Sequence, residues 1–239
     1  MAGNTAILLA GGSGSRMRGT VKDKVLEPLS GLPVILHSYI SFEKSGCVDS
    51  AIFVCRDEPQ MESIKKALRR FCKDSKLEVR FAFGGKERSD SVLNGLKEIK
   101  DKSGLVFIHD GARPFVGVEN IKKLAETAAR DGSAILATRV SDTIKRIPKS
   151  AKSLSKCKFD DLDRSRLFAM QTPQVFIAKD ILKAYRAVKR NKLKVTDDAA
   201  AAGLSGIKVS IVENLFPNIK ITRPEDLTYA EYLMERLSK

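Results

Sequence analysis

The segment TAILLAGGSGSRMRG, residues 5–19, contains the pattern on which the fold depends. Residues 5–10 are apolar or β-branched, as in a short buried strand, and a run rich in glycine and arginine follows at once. A glycine-rich turn after a strand exposes backbone N–H groups that bind anions, and arginine side chains favour the same partners. The segment therefore predicts an anion-binding loop at the carboxyl end of a first strand.

Outward from this segment, short apolar runs alternate with helical patterns. Buried strands are predicted at residues 5–10, 51–55, 77–83, 105–109 and 134–140, and a further strand at 207–213. Helices are predicted at residues 33–44, 58–71, 89–99, 119–130, 179–192 and 224–237. The alternation predicts βαβ units and a Rossmann-like three-layer α/β/α fold, with a mostly parallel twisted sheet between the helices.

Residues 141–165 interrupt this alternation. The segment SDTIKRIPKSAKSLSKCKFDDLDRS is basic and then acidic, is poor in large apolar residues, and is too long for a passive connection. It predicts an excursion from the sheet, which is a lid, a protruding β-arm or a subunit-swapped element. With no internal repeat and no second core pattern, residues 1–239 are expected to form a single domain that carries this insertion.

Composition restricts the class of protein. A chain of 239 residues with 43% hydrophobic and 30% charged residues is an ordinary globular protein, and no apolar run approaches the ~20 residues of a membrane span. The N-terminus lacks the basic region of a signal peptide. Four cysteines without a C-x-x-C pair and only two histidines disfavour a zinc site and indicate buried thiols in a reducing, cytoplasmic compartment.

The net charge of +14 requires an explanation in terms of partners. Nucleic acid, an anionic membrane and phosphorylated small molecules would all suit a basic protein. The basic stretches lack interleaved aromatic residues, which total 6% of the chain, so a single-strand stacking surface is disfavoured. We expect neither a nucleic acid nor a membrane as the partner.

The opening loop fits neither of two common phosphate-binding motifs. A dinucleotide fingerprint needs a third glycine where Met17 stands, and a P-loop needs a lysine where Thr20 stands. What remains is a loop accompanied by four cations, which suits the charge of a triphosphate. These cations are Arg16, Arg18, Lys22 and Lys24.

An ordered set of motifs resembles one enzyme family. LLAGGSGSRM and DKVLEPLSGLPVILHSY resemble the sugar-nucleotidyltransferase superfamily. GGKERSDSVLNGL, IHDGARPFV, SDTIKR, QTPQVF, TDDA and NIKITRPEDL resemble its 2-C-methyl-D-erythritol 4-phosphate cytidylyltransferase branch, in the family's order and over nearly the whole chain. The resemblance implies an enzyme of non-mevalonate isoprenoid synthesis that joins CTP to a phosphorylated polyol and releases pyrophosphate.

The resemblance also implies site residues. Around the triphosphate and the transition state it places the catalytic cations Arg16, Lys24 and Lys220. For CTP binding it indicates Ala10, Gly11, Gly12, Gly14, Gly85, Lys86, Ser91 and Asp110. A carboxylate just past an apolar strand suits Mg²⁺, so Asp110 is also the expected metal ligand and Mg²⁺ the expected cofactor.

For the second substrate the resemblance indicates Arg113, Thr143, Arg164 and Thr172. Two of these, Thr143 and Arg164, bracket the insertion at 141–165, which in the family crosses to a second subunit. A homodimer with shared active sites is therefore expected. The substrate phosphate is mostly dianionic at pH 7 and can attack the α-phosphorus without a general base, which agrees with the lack of a recognisable catalytic triad.

The chain departs from the family pattern in places. Asp23 precedes Lys24 where the family usually has proline, and Gly111 stands where alanine is usual. Arg16 and Lys24 are one residue further apart than is typical, so Lys22 is an alternative triphosphate ligand. A ribitol 5-phosphate cytidylyltransferase, a basic nucleic-acid-binding protein and a non-catalytic nucleotide binder stay open as alternatives.

Overall fold

A mixed β-sheet forms the centre of the computed structural model, which describes residues 3–12, 17, 21, 23–151 and 153–237. The strands are β1 Thr5–Leu9, β2 Pro28–Leu29, β3 Leu32–Pro33, β4 Ser50–Cys55, β5 Glu78–Phe83, β6 Leu105–Asp110, β7 Ser133–Arg139, β8 Lys145–Arg146, β9 Asp160–Asp161, β10 Phe168–Ile177 and β11 Ser210–Glu213. The helices are α1 Val34–Ser45, α2 Glu58–Phe71, α3 Arg88–Lys97, α4 Val118–Asp131, α5 Ala178–Arg190, α6 Asp198–Leu204 and α7 Pro224–Leu237.

The main sheet has the strand order β11-β7-β10-β6-β1-β4-β5. Its neighbours run parallel except at β10, which is antiparallel to both β6 and β7. Leu9 at the end of β1 is in register with Val54 of β4 and Asp110 of β6. The carboxyl ends of these three strands therefore meet at one edge of the sheet, where open α/β folds bind ligands.

Helices cover both faces of the sheet, as predicted. Leu8 of β1 packs in a core with α1, α2, α4 and α7, whereas its neighbour Ile7 packs with α3, α5 and α6 on the other face. Residues alternate in this way because successive side chains of a strand point to opposite faces. The fold is the predicted three-layer α/β/α arrangement with a mostly parallel sheet.

Several details differ from the sequence-based expectation, including the ten-residue strand β10, which is not among the predicted strands. The strand predicted as buried at residues 77–83 is β5, a half-exposed edge strand, because only β4 pairs with it. Helix α6 and the β2–β3 hairpin were not predicted, since seven and two residues are too short for a readable periodicity. Of the four free cysteines only Cys55 is fully buried, and the others are half-buried.

The insertion at 141–165 forms a β-arm, one of the three shapes that its sequence allowed. Strands β8 and β9 pair as an antiparallel hairpin with no hydrogen-bonded neighbour in the main sheet among the described residues. Leu154 and Phe159 of the arm are 77% and 50% exposed, which is unusual for large apolar side chains. The described helices contain none with the length and apolar character needed to cross a bilayer.

Candidate active site

A cleft of about 430 Å³ lies at the sheet edge where β1, β4 and β6 end. Its size is that of a small-molecule site. Nine of the predicted site residues line it: Ala10, Gly11, Gly12, Lys24, Gly85, Lys86, Ser91, Asp110 and Lys220. Predictions for Gly14 and Arg16, and the alternative ligand Lys22, lie outside the described residues.

Asp110, the last residue of β6, is the electrostatic centre of the cleft. Lys220 donates a hydrogen bond to its Oδ2 at 2.6 Å, and the Nε atoms of Arg88 and Arg113 lie 3.5 and 3.8 Å from its carboxylate oxygens. Burial alone would raise the pKa of this carboxyl, but the three surrounding cations hold it well below its usual range. Asp110 therefore stays ionised in the cleft at neutral pH.

Thr172 of β10 supports Asp110 from behind. Its hydroxyl oxygen accepts the Asp110 N–H at 3.0 Å and lies 3.1 Å from Nδ1 of His109. His109 is fully buried, and its Nε2 contacts the hydroxyl of Ser38 and the carbonyl of Arg113. Burial lowers the pKa of His109 to about 4, so the ring is neutral at pH 7 and acts as part of the polar support.

Arg113 is also adjacent to Asp110. Its Nη1 donates to the backbone carbonyl of Asn218 at 2.7 Å, whereas its buried Nε has no hydrogen-bond partner in the described structure. This buried N–H lies 3.8 Å from the Asp110 carboxylate, and Arg113 is not among the described residues that line the cleft. The contact of Arg113 with the second substrate stays a prediction.

The loop before α3 forms another wall. The Gly84 N–H donates to the Cys55 carbonyl at 2.7 Å, and the Gly85 N–H donates to the Ser91 hydroxyl at 3.1 Å. A Cβ on Gly85 would lie only 2.3 Å from the Cβ of Asp90. Glycine is needed here because the loop packs against the first turn of α3.

None of the four predicted substrate residues is among the described residues that line this cleft: Arg113 and Thr172 contact Asp110, whereas Thr143 and Arg164 lie away from it. Thr143 and Arg164 are exposed on and beside the arm, and Arg164 donates to the carbonyl of Ser141 at 2.6 Å. Neither lines the cleft of its own chain. Their assignment to a shared site stays a prediction that depends on a second subunit.

Sequence reasoning missed the residues that hold Arg88. The Arg88 guanidinium makes two parallel hydrogen bonds to Asp198, at 2.9 and 2.8 Å, and the Tyr185 hydroxyl donates to the same carboxylate at 2.5 Å. Asp198 has no exposed surface. The motifs GGKERSDSVLNGL and TDDA contained both charged partners, but their 110-residue separation hid the contact.

The donor set is compatible with Mg²⁺ in one specific way. Among the described residues there is no cluster of three or more His, Cys, Asp or Glu side chains that could hold a metal. Mg²⁺ commonly binds through one carboxylate, water and substrate phosphates, and Asp110 offers that single ionised carboxylate. The residues therefore fit a metal that arrives with a triphosphate, and not a metal held by protein ligands alone.

Comparison with known proteins identifies the family. The family model described as IspD, 2-C-methyl-D-erythritol 4-phosphate cytidylyltransferase, matches residues 4–236. The protein of that name from Bacillus velezensis is 40% identical over 230 residues, covering 96% of this chain and 94% of the relative. The chloroplastic relative of the same name from Oryza sativa subsp. japonica is 39% identical, covering 96% of this chain and 74% of the relative.

A solved structure agrees with these relatives. The crystal structure of 4-diphosphocytidyl-2C-methyl-D-erythritol synthase from Anaerococcus prevotii has a TM-score of 0.83 and 28% identity, covering 98% of this chain and 99% of that chain. These names do not favour the ribitol 5-phosphate alternative. The chain belongs to the 2-C-methyl-D-erythritol 4-phosphate cytidylyltransferase family and is a nucleotidyltransferase of non-mevalonate isoprenoid synthesis.

Proposed function

We propose that the cleft at the carboxyl ends of β1, β4 and β6 is where CTP and 2-C-methyl-D-erythritol 4-phosphate react. The observation that carries this proposal is the ionised Asp110 carboxylate surrounded by three cations at one end of a glycine-edged cleft. Cytosine lies against the backbone of residues 10–12 and the loop at Gly85, Lys86 and Ser91. The triphosphate faces Lys24 and Lys220, together with Arg16 from the predicted loop.

The reaction needs positioning and charge stabilisation. A phosphate oxygen of the polyol phosphate attacks the α-phosphorus of CTP in line, the bond to the β-phosphate oxygen breaks, and pyrophosphate leaves. Lysine and arginine side chains stabilise the negative charge that develops on the transferred group. The attacking phosphate is mostly dianionic at pH 7, so no side chain has to remove a proton.

Mg²⁺ is proposed as the cofactor, with Asp110 as its protein ligand. The metal would neutralise charge on the CTP phosphates. Removal of divalent cations with EDTA should abolish pyrophosphate release, and added Mg²⁺ should restore it. Turnover that persists in EDTA would contradict this part of the proposal.

The β-arm is proposed to complete the active site of a second subunit, in a homodimer. In this arrangement Thr143 and Arg164 contact the polyol phosphate bound to the partner, which agrees with their exposure and their absence from the cleft of their own chain. The exposed apolar side chains Leu154 and Phe159 supply surface for subunit contact. The chain is proposed to act as one domain in the cytoplasm, where its four free thiols would stay reduced.

Mixing two impaired variants at a subsaturating concentration of the polyol phosphate tests the shared site. Arg164→Ala should weaken binding of the polyol phosphate and leave CTP affinity nearly unchanged, whereas Lys220→Ala should disable the cleft itself. Random subunit exchange between the two variants should restore ~25% of wild-type activity, because half of the dimers then contain one intact site. No recovery after exchange, or a monomer by sedimentation, would exclude the shared site.

A substrate panel tests the proposed reaction. Pyrophosphate release from CTP is measured with 2-C-methyl-D-erythritol 4-phosphate and with ribitol 5-phosphate, under identical conditions. The first substrate should give the larger kcat/KM. Faster turnover of ribitol 5-phosphate would overturn the substrate assignment, and tight RNA binding without a CTP-induced thermal shift would overturn the enzymatic role of the cleft.

A further inference from the structure

Asp23 is an unexpected neighbour for a triphosphate site. It comes directly before Lys24, which lines the cleft. A carboxylate in this place would repel phosphate groups unless its charge is compensated. The contacts of Asp23 indicate what the carboxylate contributes instead.

The Asp23 carboxylate is enclosed by donors from two other segments. Its Oδ2 accepts a hydrogen bond from Nε2 of Gln60 at 2.6 Å and one from Nη2 of Arg56 at 3.1 Å. Its Oδ1 accepts the N–H of Val25 at 3.2 Å, across Lys24. The side chain is only 9% exposed. The ion pair with Arg56 offsets the negative charge that would otherwise face the phosphates.

Gln60 connects this carboxylate to the wall of the cleft. It lies in the first turn of α2, is 2% exposed, and donates from the same Nε2 to the Ala10 carbonyl at 3.1 Å. Its Oε1 accepts the Arg56 N–H at 2.6 Å. The two hydrogens of one buried amide therefore join the Asp23 side chain to the end of β1, and the amide oxygen holds the chain that leaves β4.

The backbone of Asp23 is restrained as well. Its carbonyl accepts the N–H groups of Leu26 at 3.0 Å and Glu27 at 3.1 Å, which closes a turn around Lys24. The ammonium of a lysine is carried on a flexible stem, so a backbone held in place removes one source of its displacement. Side chain and carbonyl of Asp23 together fix the backbone on both sides of Lys24.

We propose that Asp23, held by the buried amide of Gln60, is the positioning residue for Lys24 and sets its distance from the Ala10 wall of the cleft. This inference rests on the proposed function, in which Lys24 binds the triphosphate. Asp23 acts through Lys24 and does not itself touch the substrate.

A double-mutant cycle tests the inference. Asp23→Ala should lower kcat ~10-fold, because a displacement of about 1 Å at a catalytic cation has an effect of this order or larger. Lys24→Ala should lower kcat by ~10²-fold. The double variant should be no slower than Lys24→Ala, since Asp23 has no effect once Lys24 is gone. Asp23→Asn can keep the oxygen that accepts from Gln60 but then turns its NH2 group toward the Val25 N–H, so its kcat should lie between those of Asp23→Ala and wild type.

Controls separate positioning from folding. Asp101→Ala removes a carboxylate that also accepts hydrogen bonds within its own turn, from Ser103, and it should leave kcat unchanged. Thermal unfolding of every variant reports its stability. The inference would be overturned if the loss of kcat in the double variant equalled the product of the losses in Asp23→Ala and Lys24→Ala. It would also be overturned if Asp23→Ala kept wild-type kcat. A Lys24→Ala variant with wild-type kcat would instead refute the proposed role of Lys24, and a wild-type chain without turnover would refute the proposed function.

Discussion

At the residue scale, a short charged contact in the cleft joins Lys220 to Asp110 at 2.6 Å. The contact means that Lys220 has two possible effects, since it neutralises Asp110 and also offers a cation to the reacting phosphates. The two effects change different kinetic constants. Loss of a ground-state contact raises KM, whereas loss of a transition-state contact lowers kcat.

Lys220→Ala is therefore expected to lower kcat by ~10²-fold or more, with a smaller change in the KM for CTP. Steady-state pyrophosphate release measures both constants. Lys100→Ala is the matched control, because Lys100 is 71% exposed and pairs with Glu78 on the edge strand. A change confined to KM would show that Lys220 only binds substrate.

His109 leads to a prediction about pH. Its folded pKa of about 4 lies below the unfolded value of ~6.5, so the unfolded state binds more protons between these values. The stability contributed by the neutral ring is complete above pH ~6.5 and is lost as pH falls toward 4. Urea unfolding of the metal-free protein should show a loss of about 2 kcal/mol between pH 7 and pH 5 from this group.

His109→Gln removes that titration. The variant should be less stable than wild type at pH 7, because the amide fills the polar pocket between Ser38 and Thr172 less well. Its free energy of unfolding should nevertheless vary less between pH 7 and pH 5. An unchanged pH dependence would mean that His109 does not differ between the folded and unfolded states.

At the element scale, the sheet edge brings together loops that are far apart in the chain. The loop after β5 packs so closely on α3 that Gly85 has no room for a side chain. Gly203 in α6 presents the opposite case, since a Cβ there would meet no atom within 4 Å. The two glycines therefore differ in what an added methyl group does.

Gly85→Ala should lower the free energy of unfolding by ~1–3 kcal/mol, because the added carbon overlaps Asp90 and shifts the loop. Gly203→Ala should raise it by up to ~1 kcal/mol, because alanine favours the helix. Chemical denaturation of both variants measures the difference. Equal effects of the two substitutions would contradict the packing argument.

The elements themselves were largely predictable. Helix α2 occupies residues 58–71 as predicted, because Asp57 caps its N-terminus and its apolar face has helical spacing. Strand β5 was placed correctly along the chain but wrongly assigned to the interior. Periodicity indicates which residues face a core. Whether a strand lies at the edge or in the centre of the sheet depends instead on its pairing with distant segments.

At the scale of the whole molecule, Asp198 links elements that are distant in sequence. Its fully buried carboxylate joins Arg88 of α3 and Tyr185 of α5, and Arg88 lies beside Asp110 at the end of β6. Burial and the neighbouring Asp198 raise the pKa of Tyr185, so its hydroxyl stays protonated and donates. The pair of Arg88 and Asp198 therefore connects α3, α5 and α6 with Asp110 in the cleft.

Asp198→Asn should destabilise the protein by ~3–5 kcal/mol, because it leaves the guanidinium of Arg88 without its ionic partner. Tyr185→Phe removes one hydrogen bond to the same carboxylate and should cost only ~1 kcal/mol. Urea denaturation compares the two variants with wild type. If the two losses were equal, Asp198 would act through Tyr185 and not through Arg88.

The site could be predicted only in part, for a reason visible in its members. Lys220 and Asp110 stand in motifs that resemble a known family, so their roles were accessible before the fold was known. Arg88 and Asp198 also belong to motifs that resemble this family, yet neither motif indicates that the two side chains are in contact. The contact exists because α3 and α6 pack on the same face of the sheet.

The sequence by itself determined the class of fold, most of the strands and helices along the chain, the family and most of the cleft residues, because local periodicity and short motifs encode these features. The tertiary structure alone decided which side chains meet: Asp110 with its three cations, Arg88 with Asp198, and Asp23 with Gln60. Such contacts join positions tens of residues apart, and their energies depend on burial and distance, which exist only once the chain has folded.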